Sequence, residues 1–244
     1  MALILISKIL RIKVMVRIVG WDVNWRDQIS NRLSRIESRI VHSFNYTKAD
    51  CVLCFTETVK NIVKAERKSA KTVIIPDGVD TSRFYCPRRK SRVVLFVGRA
   101  SFPKRPDMVK EAFAMAKCDG YELKLIEGDV PFEEMPGHYA DAKAFLFASE
   151  SEGFPLVFAE AMASGTPIIT NCFTTASDII RNGCNGYVCT DVEQMAFFLS
   201  LLLKNKKQWK RLSKNCLKES RRYDWNRIAD QIKEVGYELV GKGR

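Results

Sequence analysis

The sequence predicts an α/β protein built as two doubly wound lobes, the first of them incomplete. Three observations carry this. Short β-branched or apolar runs alternate along the chain with stretches of helical period, the pattern of parallel βαβ units. The alternation breaks once, at the charged, proline-bearing stretch RFYCPRRKSR (83–92), and then restarts, which makes that stretch the candidate linker. The 244 residues, 46% hydrophobic, exceed a usual domain of about 100 to 150 residues but fall short of the roughly 300 that two complete ones need.

Taken in order, KVMVRIVG (13–20) reads as a strand, and Ile29, Leu33, Ile36, Ile40 and Phe44 recur at the spacing of an amphipathic helix. CVLCFT (51–56), a short helix from Glu57 to about Arg67 and TVIIP (72–76) continue the alternation. PDGVD follows as a turn in which Gly78 can take positive φ. Beyond the break come strand RVVLFVG (92–98), a helix from about Pro106 to Lys117, and strands ELKLIEG (122–128) and AKAFLFAS (142–149). A helix opening near Pro155, strand TPIIT (166–170) and a helix from about Val192 to Leu203 complete the second lobe.

Forty Lys and Arg against 28 Asp and Glu give a formal charge of +12, which attracts nucleotides, nucleic acid or an acidic membrane face. The basic residues lack a nucleic-acid motif or interleaved aromatics, so no specific nucleic-acid partner is expected. The opening run is interrupted by Lys8, Arg11, Lys13 and Arg17 well before the ~18 to 20 uncharged residues of a bilayer span, and it lacks the order of a signal peptide. A cytoplasmic location is expected, with peripheral membrane contact through these residues or through KNKKQWKRLSK (204–214), although solvated helix faces are the simpler reading of such charge. The eight cysteines are expected to be reduced, and Cys51 and Cys54 to face opposite sides of one strand, poorly placed to share a metal.

The segment SEGFPLVFAEAMASGTPII (151–169) concentrates the chemistry. Pro155 fits the first helical position and Gly165 the stop, with Leu156, Ala159, Met162 and Ala163 as the apolar stripe. The free amides at Gly153, Phe154 and Leu156 would then face the sheet's carboxyl edge, where open α/β folds bind anions. Glu152 lies just outside the helix and Glu160 about 7.5 Å along its axis, so the two could bracket a diphosphate and accept hydrogen bonds from sugar and ribose hydroxyls. On spacing alone the blander reading is open too: Glu152 a helix-dipole partner, Glu160 a surface or ion-paired residue. Gly98, Arg99 and Lys104 follow a buried strand at the same edge, where a fork and a mobile point charge can clamp phosphate.

The segments IPDGVDTSRF, FVGRASFPKRPD, EGFPLVFAEAMASGTPI with its E-x7-E spacing, and NGCNGYV resemble, in this order, the family 4 retaining glycosyltransferases of the GT-B fold, glycosyl transferases group 1. The resemblance runs from about Lys13 to the closing YDWNRIADQI helix. It implies a GT-B-like fold of two Rossmann-like lobes and transfer of a sugar from a nucleotide-diphosphate sugar, with retention and without a required metal or other cofactor. By match of motif, Arg99 and Lys104 would neutralise the leaving diphosphate. Glu152 with the backbone of Gly153, Phe154, Pro155 and Leu156 would hold the sugar, and Glu160 the ribose. Catalysis would rest on Glu152, Arg99 and Lys104. Residues 1–84 would form a partial acceptor-side lobe, 85–220 the donor-binding lobe, and 221–244 a helix returning toward the first lobe.

Two departures from the family pattern stand out. Its amino-terminal domain begins with a glycine-rich loop and often carries a histidine near the reacting carbon, whereas His42 and His138 match no such position and VGWDVN leaves Trp21 and Asp22 as acceptor-side candidates. The segment from Leu125 to Phe147 is also short of the helix and strand that usually help to hold the base. A half-sheet leaves an edge to cover, so a homodimer or a second polypeptide is expected as partner, with the acceptor unidentified. A nucleotide-sugar-binding subunit without turnover is the alternative.

Overall fold

The computed structural model describes residues 7, 10–18, 44, 47–86 and 90–241. Trp21, Asp22, His42 and nearly all of the helix expected over 29–44 lie outside the described residues. The chain divides into two units, Met1–Asp77 with Asn226–Arg244, and Gly78–Trp225.

The first unit holds a three-stranded parallel sheet of order β1-β2-β3, from β1 (Met15–Arg17), β2 (Cys51–Cys54) and β3 (Thr72–Ile74). Helix α1 (Glu57–Glu66) starts where Thr56 accepts a hydrogen bond from the amide of Val59, and it buries Val59 and Val63. With period 2, Val52 and Cys54 pack on Val59 and Val63, while Cys51 and Leu53 pack on Ile75, Ile228 and Val235. The two cysteines therefore face opposite sides of the sheet, as their spacing implies. Among the described residues, no cluster of His, Cys, Asp and Glu has the geometry of a metal site.

The second unit is a five-stranded parallel sheet of order β5-β4-β6-β7-β8. In chain order its elements are β4 (Val93–Val97), α2 (Pro106–Met115), β5 (Glu122–Ile126), α3 (Met135–Asp141) and β6 (Ala142–Phe147). There follow α4 (Leu156–Ala163), β7 (Ile168–Asn171), α5 (Ala176–Ile179), β8 (Gly186–Cys189), α6 (Val192–Lys204) and α7 (Lys206–Ser220), and then α8 (Trp225–Leu239) leads into the first unit. Strand β8 was not expected: four residues opening on glycine carry too little apolar run to be seen, yet β8 pairs with β7 along its whole length. The core is aromatic, with Phe147 edge-on to Phe158 at 5.1 Å and Phe145 packed against both Phe147 and Tyr139.

Three local expectations need correction. The stretch over 83–92 is not the point of division, because Phe84 is buried edge-on against Tyr139 at 5.7 Å and Lys90 bonds to the ends of α3 and α4. Gly78 is not at positive φ; it is glycine for space, since a Cβ there would lie 2.5 Å from Trp225 Cδ2. Pro155 caps α4 from outside, with extended backbone, and Leu156 is exposed instead of joining the apolar stripe. Gly165 does stop the helix, at φ 63°.

Candidate active site

The order β5-β4-β6 fixes where a ligand can sit. The chain leaves β4 toward β5 on one side and returns to β6 on the other, so the loops after β4 and β6 diverge and open a crevice at the carboxyl edge. Gly98, Arg99 and Lys104 follow β4, and Ser149, Glu152 and the start of α4 follow β6. Both sets of expected site residues thus flank the topological switch point.

Backbone hydrogen bonds stitch the two loops together. The amide of Arg105 donates to the carbonyl of Ala148 at 3.0 Å, and that of Glu150 to Pro103 at 2.9 Å. This register delivers Lys104 to Glu152, with Nζ 2.5 Å from Oε1. Their side chains are only 18% and 14% exposed, so the pair is screened far less than a surface ion pair. Lys104 also sits over the Phe147 ring, 4.5 Å from its centroid, an added cation–π attraction. Gly98 leaves the path open for the lysine stem: a Cβ there would meet Lys104 Cγ and Phe96 Cζ, each at 3.2 Å.

Glu152 is held from below as well. The Ser149 hydroxyl donates to the same Oε1 at 2.7 Å, and the Thr175 hydroxyl to the Glu152 carbonyl at 2.9 Å. Ser149 is in turn fixed by Asn171 at the end of β7, which accepts from its amide at 3.0 Å and donates to its carbonyl at 2.8 Å. Sequence reasoning missed Ser149, Asn171 and Thr175. The signal for the first two was a polar residue closing or following an apolar strand.

Helix α4 begins with no side-chain cap, so its first amides and the positive end of its dipole face the crevice beside buried Gly153 and Phe154. Glu160 lies one turn further in. Burial pushes its carboxyl above the usual range, opposed by the hydroxyl of Tyr139, which is itself fully buried with no hydrogen bond meeting standard geometry. Tyr139, on α3, was also missed, having no motif around it.

The structure brings Lys104 and Glu152 together but places Arg99 apart. Arg99 is exposed beside Gly128, past the end of β5, and ion-pairs with no described residue. His138 lies on α3 in an open groove of about 560 Å³ with Arg83, Glu133, Glu134 and Asp141. The arrangement offers an anion two kinds of positive partner, a lysine and free helix amides, and two carboxylates of unlike burial for hydroxyl groups.

Residues 125–219 match the family described as glycosyl transferases group 1. A glycosyltransferase of Haemophilus influenzae, described as uncharacterized, is 22% identical over 96% of this chain and 73% of its own length. The spore coat protein SA of Bacillus subtilis is 32% identical over 59% of this chain, which spans 48% of that relative. Among solved structures, sucrose-phosphate synthase from Thermosynechococcus elongatus shares the fold with a TM-score of 0.80, 20% identity and coverage of 98% of this chain and 71% of its own. Anabaena HepE in complex with UDP does so with a TM-score of 0.79, 15% identity and coverage of 96% and 75%. The segment similar to the glycosyl transferases group 1 contains Glu152, Glu160 and the whole α4 turn, and the fold shared along nearly the full chain is GT-B-like, of two Rossmann-like lobes.

Proposed function

We propose that the protein is a retaining hexosyltransferase that moves a sugar from a nucleotide-diphosphate sugar to a glycan, lipid or protein acceptor. The observation that carries this reading is the buried meeting of Lys104 and Glu152 at the switch point, beside an uncapped helix start. In the reaction the bond between the anomeric carbon and the β-phosphate oxygen breaks as a bond to the acceptor hydroxyl forms on the same face. The acceptor proton passes to the departing phosphate. Negative charge grows on that phosphate, which Lys104 and the first amides of α4 would stabilise in the manner of an oxyanion site, with Arg99 reaching the diphosphate from the β5 side and without calling on a metal. Glu152 and the backbone of residues 153–156 hold the sugar hydroxyls, and Glu160 the ribose.

UDP-sugars are the first donors to try, because related structures of Anabaena HepE were obtained in complex with UDP and with UDP-glucose. The acceptor side falls to the first unit or to a partner chain; one structural neighbour is a complex of two proteins, GtfA and GtfB. Calorimetric titration with a panel of nucleotide-diphosphate sugars, repeated on Glu160→Ala and Arg99→Ala, tests the site. Saturable binding of one donor, weakened by both substitutions, is expected. Binding that neither substitution alters would overturn the assignment, and binding without transfer to any acceptor would favour a subunit that carries the donor only.

A further inference from the structure

Helix α7 lies across the edge of the second sheet opposite the crevice. Trp209 Nε1 donates to the carbonyl of Lys143 at the start of β6, Ser213 to that of Gly165 ahead of β7, and Asn215 to that of Cys184 ahead of β8. These contacts bury the inner face of the helix, including Leu212, Ser213 and Cys216. The outer face carries Lys206, Lys207, Lys210, Arg211, Lys214 and Lys218, all exposed. None of the six pairs with a carboxylate of a described residue. Glu219, the acid nearest in sequence, is buried and held by Arg181 and Arg222.

This charge is costly as it stands. Lys206, Lys210, Lys214 and Lys218 follow one another at i,i+4, as do Lys207 and Arg211, so each faces a like charge along the helix. Nor can it serve the donor diphosphate, which belongs at the other edge. Beside it, Phe197 on α6 is 62% exposed and opens an apolar groove of about 440 Å³ that runs past Leu201 to Lys204 and Lys206. A dense cationic row explains attraction to any polyanion, whereas an exposed aromatic ring next to it fits a surface with both anionic headgroups and an apolar interior.

We infer that the outer face of α7, with Phe197, docks this lobe on an anionic lipid bilayer. The donor crevice then faces away from the membrane-bound edge and stays open to nucleotide. Each basic residue near such a surface strengthens binding about fivefold, and binding falls steeply with salt.

The test is co-sedimentation of the full chain with phosphatidylcholine vesicles with and without phosphatidylglycerol. Binding only to the anionic vesicles is expected, reduced about 100-fold or more in Lys206→Glu/Lys210→Glu/Lys214→Glu and about fivefold in Phe197→Ser. The reversal of Lys48, Lys68 and Lys71 on the first unit changes net charge equally and should leave binding near wild type. An equal loss in that control would reduce the effect to net charge and overturn the inference, as would no binding to anionic vesicles. If Phe197→Ser binds vesicles like the wild type while heparin retention follows only the lysines, the face is a polyanion groove and the bilayer assignment fails. Melting curves of each variant, with wild-type cooperativity, separate these outcomes from unfolding, and donor titration is independent of all of them.

Discussion

Replacing Glu152 by Gln should tighten binding of the nucleoside diphosphate while slowing sugar transfer. Lys104 Nζ lies 2.5 Å from Glu152 Oε1, and a phosphate oxygen bonded to the far side of that ammonium would sit about 5 Å from the carboxylate. Two unit charges at that distance repel by about 3 kcal/mol at an effective dielectric of about 20, the value suited to a half-sheltered crevice. The carboxamide keeps a dipole and the crevice opens to water, so about 1 to 2 kcal/mol of relief is expected, or 5- to 30-fold tighter binding. Transfer from the intact donor should fall by about 10- to 100-fold, because in the proposed reaction the sugar would lose the charge that holds it as its bond breaks. Titration with the diphosphate alone, paired with a transfer or donor-hydrolysis assay, reads both. Unchanged or weaker diphosphate binding, in a variant with a wild-type melting curve, would show that Glu152 does not border the phosphate site.

Gly98→Ala should press on the lysine stem at 3.2 Å and displace its ammonium, lowering kcat/KM by up to about 100-fold with little change in melting temperature. Lys90→Met should destabilise the second unit by about 2 to 4 kcal/mol in chemical denaturation, because the ammonium donates to the carbonyls of Ala140 and Ser164 at 2.8 and 2.7 Å, to that of Tyr139, and to the Thr166 hydroxyl. Burial brings Lys90 down to about 8, so the unfolded chain binds the extra proton between about pH 8 and 10.5; stability from this group should rise across that window in the wild type and not in Lys90→Met. Glu160 is shifted the other way, since burial raises it and its ionised form opposes folding. Glu160→Gln should therefore stabilise the protein at neutral pH, an advantage that vanishes below pH 4.5, while weakening donor binding most where the wild-type carboxylate is ionised.

Much of this site is legible in the sequence because parallel strands put all their carboxyl ends on one edge. Once VVLFVG and AKAFLFAS are read as strands of one sheet, Lys104 and Glu152 must share that edge. Which strands are neighbours is not legible, since it depends on how each crossover packs, and the order β5-β4-β6 is what turns a shared edge into contact at 2.5 Å. The supporting shell was hidden for the same reason. Asn171 is 22 residues from Ser149, and Tyr139 is 21 residues from Glu160, so neither pair has a local signature. Arg99 shows the opposite limit: proximity to Lys104 in sequence does not place it on the same side of the crevice, because the loop between them carries one toward β5 and the other toward β6.

The parallel sheet also accounts for how a chain of net charge +12 can hold two carboxylates at its candidate site. At the carboxyl edge, most charge is balanced locally: Lys104 faces Glu152 and Arg105 faces Asp107 and Glu150, which leaves the exposed Arg99 and the helix amides, which carry no net charge, as the remaining positive groups. At the amino edge no carboxylate among the described residues pairs with the six cations of α7. On the proposed function, a donor diphosphate would therefore need directed groups more than bulk charge, since salt weakens a diffuse field within about 10 Å but hardly touches a buried pair. Donor affinity should accordingly depend only weakly on ionic strength, and any association through α7 strongly. A donor affinity that fell with salt as steeply as vesicle binding would mean that the crevice draws its ligand by the overall field, and that the pairing of Lys104 with Glu152 does not govern it.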